Sequence, residues 1–242
     1  MSAVNGLTIA VPRGALFDGT VDLLEALGLD TGELRSNDRK LLFGDIGVIT
    51  MRPSDVPTYV EAGAADLGVT GKDVLLEQGG RASNPVEGGR EVYELLDLGF
   101  GRCTMVLASE AGPDPAHEAL RRLGVMRVAT KYPRIAARHL EETGRQAEIV
   151  EVKGSVELAP LTGMVEAIVD LTATGTTLRE NNLIVREEIV VCTARLIANP
   201  VSHKLKASAI DELLARLRAL PAASRGRGAP ASGTPSDMGD GA

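Results

Sequence analysis

The sequence contains no tryptophan and only three tyrosines and three phenylalanines among its 242 residues. The core must therefore be built from leucine, valine, isoleucine and alanine, which is typical of parallel strands covered by helices. So few aromatic side chains also argue against a stacking platform for single-stranded nucleic acid. There is no excess of positive charge either, because 26 basic and 33 acidic residues leave a net charge of −7. Nucleic-acid-binding domains are more often basic, so we expect no nucleic-acid partner.

Cysteine, histidine and long apolar runs are scarce as well. Cys103 and Cys192 lie far apart and form no Cys-x-x-Cys pair, which predicts reduced thiols rather than a disulfide framework. The three histidines are scattered without metal-ligand spacing, so no zinc site is expected. No apolar run reaches the ~18 residues of a membrane span, and no signal-peptide pattern opens the chain. These absences predict a cytoplasmic protein with no membrane partner.

Short apolar runs alternate with amphipathic segments along most of the chain, which is typical of an α/β fold. Strands are predicted at residues 7–11, 40–43, 47–50, 67–69, 95–98, 104–108, 127–130, 148–152 and 167–169, with one or two more within 184–198. Helices are predicted to begin near residues 18, 55, 73, 114, 133, 156 and 208. Residues 221–242 are rich in Gly, Ala, Ser and Pro and are predicted to form a disordered tail.

Residues 167–178, Ala-Ile-Val-Asp-Leu-Thr-Ala-Thr-Gly-Thr-Thr-Leu, carry the most informative pattern. An apolar strand precedes Asp170, a loop of small hydroxyl residues around Gly175, and the start of a short helix. Glycine lets backbone N–H groups approach a phosphate, and a helix N-terminus adds unpaired N–H donors. A carboxylate after a parallel strand can accept hydrogen bonds from ribose hydroxyls. The pattern indicates a phosphoribosyl site, the alternative being a threonine-rich turn that only caps a helix. The predicted contacts are Asp170, Thr172, Ala173, Thr174, Gly175, Thr176 and Thr177.

A weaker pattern repeats part of the first. Residues 66–71, Asp-Leu-Gly-Val-Thr-Gly, are similar to residues 170–175, Asp-Leu-Thr-Ala-Thr-Gly. This similarity favours two α/β lobes with a ligand bound between them. At the end of the first repeat, Lys72 and Asp73 either face that cleft or cap the following helix.

Four segments together are more specific than the loop alone. They are residues 51–57 (Met-Arg-Pro-Ser-Asp-Val-Pro), 65–75 (Ala-Asp-Leu-Gly-Val-Thr-Gly-Lys-Asp-Val-Leu), 154–160 (Gly-Ser-Val-Glu-Leu-Ala-Pro) and 170–178 with 180–183. Through them the chain resembles the ATP phosphoribosyltransferases over roughly residues 7–220. That family joins N1 of the adenine of ATP to C1 of phosphoribosyl pyrophosphate (PRPP), releases pyrophosphate, and uses Mg²⁺. The reaction opens histidine biosynthesis.

The resemblance implies an α/β fold of two lobes like those of type II periplasmic solute-binding proteins, with the active site in the cleft. We expect lobe I to comprise residues 1–96 and 182–220, and lobe II residues 97–181. Because the ordered sequence ends near residue 220, we expect the short form, without a C-terminal regulatory domain. The short form implies a homodimer that assembles with a regulatory subunit related to histidyl-tRNA synthetase.

The resemblance also implies roles for charged residues. The departing pyrophosphate carries charge that must be neutralised, and the fork of arginine suits phosphate. Arg39 and Arg52 are therefore predicted to be catalytic together with Asp170, although an arginine taken alone is more often a solvated surface residue. Arg13 is predicted to bind substrate, but the family's common Pro-Lys-Gly-Arg is replaced here by Pro-Arg-Gly-Ala at residues 12–15.

The remaining predicted substrate contacts are Gly71, Lys72, Asp73 and Ser155. Glu157 is expected to be an acid in the first turn of a helix rather than a base. Tyr132 is expected either to line an adenine pocket or to pack in the core. No acidic cluster forms a metal motif, so Mg²⁺ is expected to arrive with the phosphates of PRPP or ATP.

Two other functions fit parts of the pattern. A two-lobed receptor for an anionic solute is disfavoured by the lack of a signal peptide. A different phosphoribosyltransferase is disfavoured because many of those place two adjacent acids before the Thr-Gly loop, whereas Asp170 is followed by Leu171. Release of pyrophosphate from PRPP with ATP, compared with other acceptor bases, distinguishes the three.

Overall fold

The computed structural model describes residues 6–79 and 92–220, which form two β-sheets with helices on both faces. The strands are β1 (Ile9–Pro12), β2 (Leu42–Phe43), β3 (Val48–Met51), β4 (Leu67–Gly71), β5 (Tyr93–Asp97), β6 (Cys103–Glu110), β7 (Met126–Thr130), β8 (Ala147–Glu151), β9 (Ala167–Thr172), β10 (Leu183–Cys192) and β11 (Ala194–Ala198). The helices are α1 (Phe17–Ala26), α2 (Gly32–Ser36), α3 (Val56–Glu61), α4 (Lys72–Gly79), α5 (Pro115–Leu123), α6 (Pro133–Glu142), α7 (Leu158–Leu161), α8 (Thr176–Glu180), α9 (Pro200–Leu205) and α10 (Ala207–Ala219).

The sheet of lobe I has the strand order β2-β3-β1-β4-β11-β5, and the sheet of lobe II has the order β10-β6-β9-β7-β8. In lobe I, β1 pairs in parallel with β3 and β4. In lobe II, β7 pairs in parallel with β8 and β9. Parallel strands end at the same edge of a sheet, where α/β proteins bind ligands. The loops after β1, β3 and β4 therefore share one edge, and those after β7 and β9 share another.

Apolar side chains alternate between two cores in each lobe because the sheets are covered on both faces. On β1, Ile9 and Val11 join the core beneath α1 and α10, whereas Ala10 joins the core beneath α3. On β9, Val169 joins the core beneath α5 and α6, whereas Ile168 joins the core beneath α7 and α8. Each fully buried valine or isoleucine side chain contributes about 1.5–3 kcal/mol by leaving water. This double burial explains the nearly continuous apolar runs of the parallel strands.

The chain crosses between the lobes twice within the described residues, and the crossings differ from the expected boundaries. Residues 98–100 still pack in the core of lobe I, so the first crossing lies just before β6. Strand β10 pairs with β6 along its length, which places residues 183–192 in lobe II rather than in lobe I. The second crossing is Thr193, after which β11 joins β4 and β5. The β-branched run gives no sign of this change because both halves form strands.

Most predicted strands and helices are present, with shifted ends. Two short helices, α2 and α9, were not predicted, since elements of five or six residues carry too few turns for a periodic signal. The predicted tail at 221–242 lies outside the described residues. A membrane-crossing helix, long and apolar enough for that role, is not found in the described part of the chain.

Helix α4 of lobe I also contacts α6 of lobe II. The Glu77 carboxylate accepts hydrogen bonds from the backbone N–H groups of Arg134 (3.0 Å) and Ile135 (3.1 Å). These N–H groups lie in the first turn of α6, whose N-cap residue makes no side-chain capping bond. Glu77 therefore caps a helix of the opposite lobe and suits its positive dipole end. This contact holds the lobes together on one side of the cleft.

Candidate functional site

A cavity of about 580 Å³ lies between the lobes, within the size range of small-molecule sites. Lobe I contributes Ala15, Leu16, Pro53, Gly71, Asp73 and Val74, and the crossings with lobe II contribute Gly101, Arg102, Cys103, Leu171, Ala173, Cys192 and Thr193. The lining is mostly apolar, with few charged groups. It joins the loops after β1, β3 and β4 to the ends of β6 and β9, as the parallel pairing requires.

A second cavity of about 180 Å³ adjoins the first. It is lined by Val106, Glu157, Asp170, Leu171, Thr172, Ala173, Thr174, Gly175, Thr176, Thr177 and Leu178. The two cavities share Leu171 and Ala173 in their walls, so they meet at the end of β9. All seven residues of the predicted phosphoribosyl loop therefore surround one small, polar cavity.

The loop after β9 is a tight turn that requires glycine. The Thr172 hydroxyl accepts a hydrogen bond from the backbone N–H of Gly175 at 2.9 Å. Gly175 has a φ of 71°, a conformation that residues with a side chain rarely adopt. A Cβ at this position would also lie 3.0 Å from the guanidinium of Arg179. The backbone thus curls around the cavity without a side chain in the way.

Arg179, which the sequence pattern did not single out, fastens this loop from α8. Its guanidinium donates to the carbonyl oxygen of Thr174 (2.9 Å) and to the hydroxyl of Thr176 (3.0 Å). These two contacts cross-link the loop. The sequence shows only a basic residue one helical turn after the loop. This arrangement is common, so it is a weak signal for a residue that holds the loop.

Asp170 is the buried carboxylate of the smaller cavity, with a side chain only 12% exposed. One of its oxygens accepts the backbone N–H of Leu171 at 2.8 Å, and the other lies 3.9 Å from the Lys131 ammonium. Burial raises the pKa of Asp170, while the Leu171 N–H and Lys131 lower it and Glu157 raises it. The net pKa stays above its usual value. Lys131, at the end of β7, was not predicted as a site residue.

Asp73, which lines the larger cavity, interacts with Tyr132 of the opposite lobe. The Tyr132 hydroxyl from lobe II donates a hydrogen bond to the Asp73 carboxylate from lobe I. Burial raises the pKa of Asp73 despite this bond, and burial together with the nearby Asp73 raises the pKa of Tyr132. Tyr132 also packs against the core of lobe II. A Cβ at Gly71 would collide with the Asp73 carboxylate, so glycine permits this arrangement.

Arg13 is directed away from both cavities. Its guanidinium donates to Asp38 (3.2 Å) and to the carbonyl oxygen of Asn37 (3.1 Å), and it lies 4.5 Å from the ring centroid of Phe17. It lines neither cavity. The structure therefore gives Arg13 a visible role in holding the loop 37–40.

The other predicted contacts are also outside the two linings. Lys72 donates to the carboxylate of Glu94 at 2.7 Å. Arg39, Arg52 and Ser155 are exposed. Arg52 directly precedes a proline that lines the larger cavity. The structure thus brings the β9 loop, Gly71 and Asp73 to the two cavities. It leaves the side chains of Arg39, Arg52, Lys72 and Ser155 outside both linings.

Comparison with known proteins identifies the family. The model of the ATP phosphoribosyltransferase (HisG) family matches residues 52–219. An ATP phosphoribosyltransferase from Rubrobacter xylanophilus is 54% identical over 215 residues, covering 88% of this chain and 95% of that relative. Another from Ruminiclostridium cellulolyticum is 44% identical over 217 residues, covering 88% and 95%.

Solved structures agree in fold. An ATP phosphoribosyl transferase (HisG:HisZ) complex from Thermotoga maritima matches with a TM-score of 0.70 and 34% identity, covering 88% of this chain and 96% of that chain. The periplasmic VFT2 domain of Bordetella pertussis BvgS matches with a TM-score of 0.55 and 14% identity, covering 90% and 88%. At that identity the second match concerns the fold alone, and it confirms the predicted likeness to periplasmic binding lobes.

The extent of the family match and the identity to its members confirm what the four sequence segments predicted: the chain belongs to the ATP phosphoribosyltransferase family, whose enzymes catalyse the first step of histidine biosynthesis.

Proposed function

We propose that the smaller cavity binds the phosphoribosyl group of PRPP and that the larger cavity binds ATP. The observation that carries this proposal is the shared wall at Leu171 and Ala173, where the two cavities meet. A substrate in each cavity would place its reacting atom at this boundary, close to the reacting atom of the other substrate. N1 of adenine then forms a bond to C1 of the ribose, and the C1–O bond breaks, with pyrophosphate leaving with the electron pair.

Residues 172–177 hold the 5′-phosphate in this proposal. The loop surrounds a cavity of about 180 Å³, which is small for a nucleotide and suitable for a ribose phosphate. Backbone N–H groups and threonine hydroxyls are the donors, and the Thr172 and Arg179 contacts fix the loop before substrate arrives. A preformed set of donors loses less conformational entropy on binding than a mobile loop does.

Asp170 receives the ribose hydroxyls. The Leu171 N–H occupies one carboxylate oxygen, and the oxygen facing Lys131 at 3.9 Å is too far for a direct hydrogen bond. That second oxygen therefore has acceptor capacity to spare. Ribose hydroxyls would replace the water that Asp170 loses by burial and would hold C1 in place for in-line attack.

The adenine base occupies the mostly apolar larger cavity. Asp73 is a polar group in its wall, and the hydrogen bond that Asp73 makes with Tyr132 spans the two lobes. An adenine amino group is a donor, and the Asp73 carboxylate is an acceptor of matching chemistry. We propose that this pair orients the base so that N1 points to the shared wall.

Arg39 and Arg52 are proposed to neutralise charge on the departing pyrophosphate. Arg52 follows β3 and directly precedes the cavity-lining Pro53. Arg39 belongs to the loop 37–40, which the guanidinium of Arg13 holds. Arg13, Lys72 and Ser155 are proposed to contact substrate only if their present partners or positions change when it binds.

The cofactor is proposed to be Mg²⁺ carried by the phosphates of the substrates. Within residues 6–79 and 92–220, no three His, Cys, Asp or Glu side chains come together as a metal site. Mg²⁺ is commonly bound by one or two carboxylates plus substrate phosphates rather than by a protein cage, and Asp170 and Glu157 are the carboxylates of the smaller cavity. When bound, the ion would offset negative charge on pyrophosphate.

Release of pyrophosphate tests the function itself. We expect the purified chain to release pyrophosphate from PRPP when ATP and Mg²⁺ are present, and to form a phosphoribosyl adduct at N1 that is visible by mass spectrometry. Orotate, hypoxanthine and adenine as acceptors serve as controls and should give no product. Turnover with one of these bases and none with ATP would contradict the assignment of the substrate.

The phosphate loop is tested by Gly175→Val. A β-branched residue at positive φ costs about 1–3 kcal/mol and crowds Arg179, so the loop should lose its shape. We expect PRPP affinity measured by calorimetry to fall at least about tenfold, or about 1.4 kcal/mol. Gly144→Val is the matched control, because Gly144 has a similar φ of 68° with open space around it. Equal PRPP affinity in folded Gly175→Val and Gly144→Val proteins would refute the loop assignment.

The role of Arg52 is tested by its removal. If it neutralises the leaving group, Arg52→Ala should lower kcat/KM by about 10²-fold, the scale of one preorganised electrostatic contact. Arg52→Lys should recover only part of the activity, because an ammonium group lacks the planar fork of arginine. Arg138→Ala removes an equally exposed cation from α6 and should leave kinetics unchanged. Kinetics of Arg52→Ala close to those of Arg138→Ala would assign Arg52 to the solvated surface.

The partner is proposed to be a HisZ-like regulatory subunit, related to histidyl-tRNA synthetase, that binds a homodimer of this chain. The support is the similarity to a chain of the Thermotoga maritima HisG:HisZ complex, 96% of which is covered by the match.

The compartment of this protein is proposed to be the cytoplasm, because its two cysteines are free thiols.

Histidine feedback tests this assembly. Allostery needs a second site, and in this proposal the regulatory subunit supplies it. We expect the initial rate of the chain alone to respond weakly to micromolar histidine and to be strongly inhibited once the HisZ-like subunit is added. Size-exclusion chromatography should show the two proteins eluting together. Potent, saturable inhibition of the isolated chain would contradict the short-form assignment.

A further inference from the structure

Cys103 and Cys192 face each other across two antiparallel strands. They are directly paired in the register of β6 and β10, as the first residue of one strand and the last of the other. Cα atoms at directly opposed positions are about 4.5–5.5 Å apart, within the roughly 4.4–6.8 Å that a disulfide spans. Opposed residues also place their side chains on the same face of the sheet. Both cysteines are present as free thiols.

Both cysteines line the larger cavity, and the partly exposed Cys103 is the one that a small molecule can reach from the cleft. Cys103 is half-buried and Cys192 is buried. The Cys103 thiol donates a hydrogen bond to the backbone carbonyl oxygen of Cys192 at 4.0 Å. The neighbouring Cys192 thiol lowers the pKa of Cys103, while the Cys103 side chain and burial raise the pKa of Cys192. Low pKa and access are what make a thiol reactive, and a second thiol beside it is what resolves the oxidised form. Neither thiol has a role in the proposed reaction.

The pair also lies where the chain passes between the lobes. Cys103 directly follows the first crossing, and Cys192 directly precedes Thr193, which is the second. The two crossings run side by side, since the backbone N–H of Ala194 donates to the carbonyl of Phe100 at 2.9 Å. A covalent bond between the cysteines would therefore join the two connections between the lobes at one point.

We propose that Cys103 and Cys192 are an oxidation site at which hydrogen peroxide forms a reversible disulfide that clamps the crossings between the lobes. The Cys103 thiolate attacks one peroxide oxygen, the O–O bond breaks, and hydroxide leaves, giving a sulfenic acid. The Cys192 sulfur then attacks the Cys103 sulfur and forms the S–S bond, with loss of water. Overall, two thiols are oxidised and one peroxide is reduced to two molecules of water.

The disulfide fixes the ends of β6 and β10 to each other at the point where both crossings meet lobe II. Its effect on turnover rests on the proposed function. Substrate in the larger cavity covers both sulfurs, so ATP should slow their oxidation. The oxidised protein should lose turnover, and a dithiol reductant should restore it. Formation of the disulfide is measured by mass and needs no activity assay. A failure of the oxidation proposal can therefore be distinguished from a failure of the proposed function.

The experiment treats the full chain, folded and reduced, with hydrogen peroxide and follows intact mass. We expect the mass to fall by two hydrogen atoms, the band on a non-reducing gel to remain that of a single chain, and digestion to yield one peptide linking Cys103 to Cys192. In Cys192→Ser, Cys103 should instead be trapped as a sulfenic acid by dimedone. In Cys103→Ser, Cys192 should stay unmodified.

Three results would overturn the proposal. If both thiols survive peroxide in the wild-type chain, or if Cys103 proceeds to a sulfinic acid while Cys192 remains a thiol, the pair is not an oxidation site. If the disulfide forms and turnover is unaffected, the clamp is wrong. An enzyme that fails to use PRPP and ATP when fully reduced instead contradicts the proposed function, and the mass measurement still decides the fate of the thiols.

Discussion

The parallel pairing of β9 with β7 is the constraint on which the rest of the site depends. It places the end of β9 at the interlobe edge of its sheet, so Asp170 and the loop after it open toward lobe I. The register Thr130↔Val169 also brings Lys131 close to Asp170. A shift of one residue would turn every side chain of β9 to the opposite face and send Asp170 into the core. The burial of Ile168 and Val169 in two separate cores resists such a shift.

Helix α4 makes both apolar and polar contacts with lobe II, since Leu76 also packs against the core of that lobe. Tyr132 donates to Asp73, and Glu77 caps α6. Both contacts use α4 on one side and the start of α6 on the other. Hydrogen bonds to a charged group contribute about 1.5–3 kcal/mol each. That is enough to favour one arrangement and small enough to be exchanged for ligand contacts. A ligand that engages Asp73 would thus act on the same elements that join the lobes.

Several basic side chains of lobe I form ion pairs that hold loops and strands near the cavities. Arg13 forms an ion pair with Asp38, and Lys72 and Arg195 both form ion pairs with Glu94. Such pairs fix loops but leave fewer free cations for phosphate. Among the described residues near the cavities, Arg39, Arg52 and the cavity-lining Arg102 have no ion pair, so their chemistry suits an incoming polyanion.

Local patterns in the sequence were sufficient for much of this protein. Periodicity and turn residues predicted the α/β class and most strands, and the Asp-x-Thr-x-Thr-Gly-Thr-Thr order at 170–177 predicted the residues around the smaller cavity. Such patterns work because strand burial, glycine conformation and helix starts depend on neighbours in the chain. The family followed from the resemblance of four short segments, and the family model and the relatives confirm it.

The tertiary structure decided what depends on distant residues. It assigned β10 to lobe II, turned Arg13 toward the loop 37–40, and joined Lys72 to Glu94. It also brought Cys103 and Cys192 together, although they lie far apart in the sequence, and it placed both in the wall of the cleft. Each of these outcomes depends on which strands pair and in which register. That choice is made by the packing of whole sheets, because no single segment contains both partners of a long-range contact.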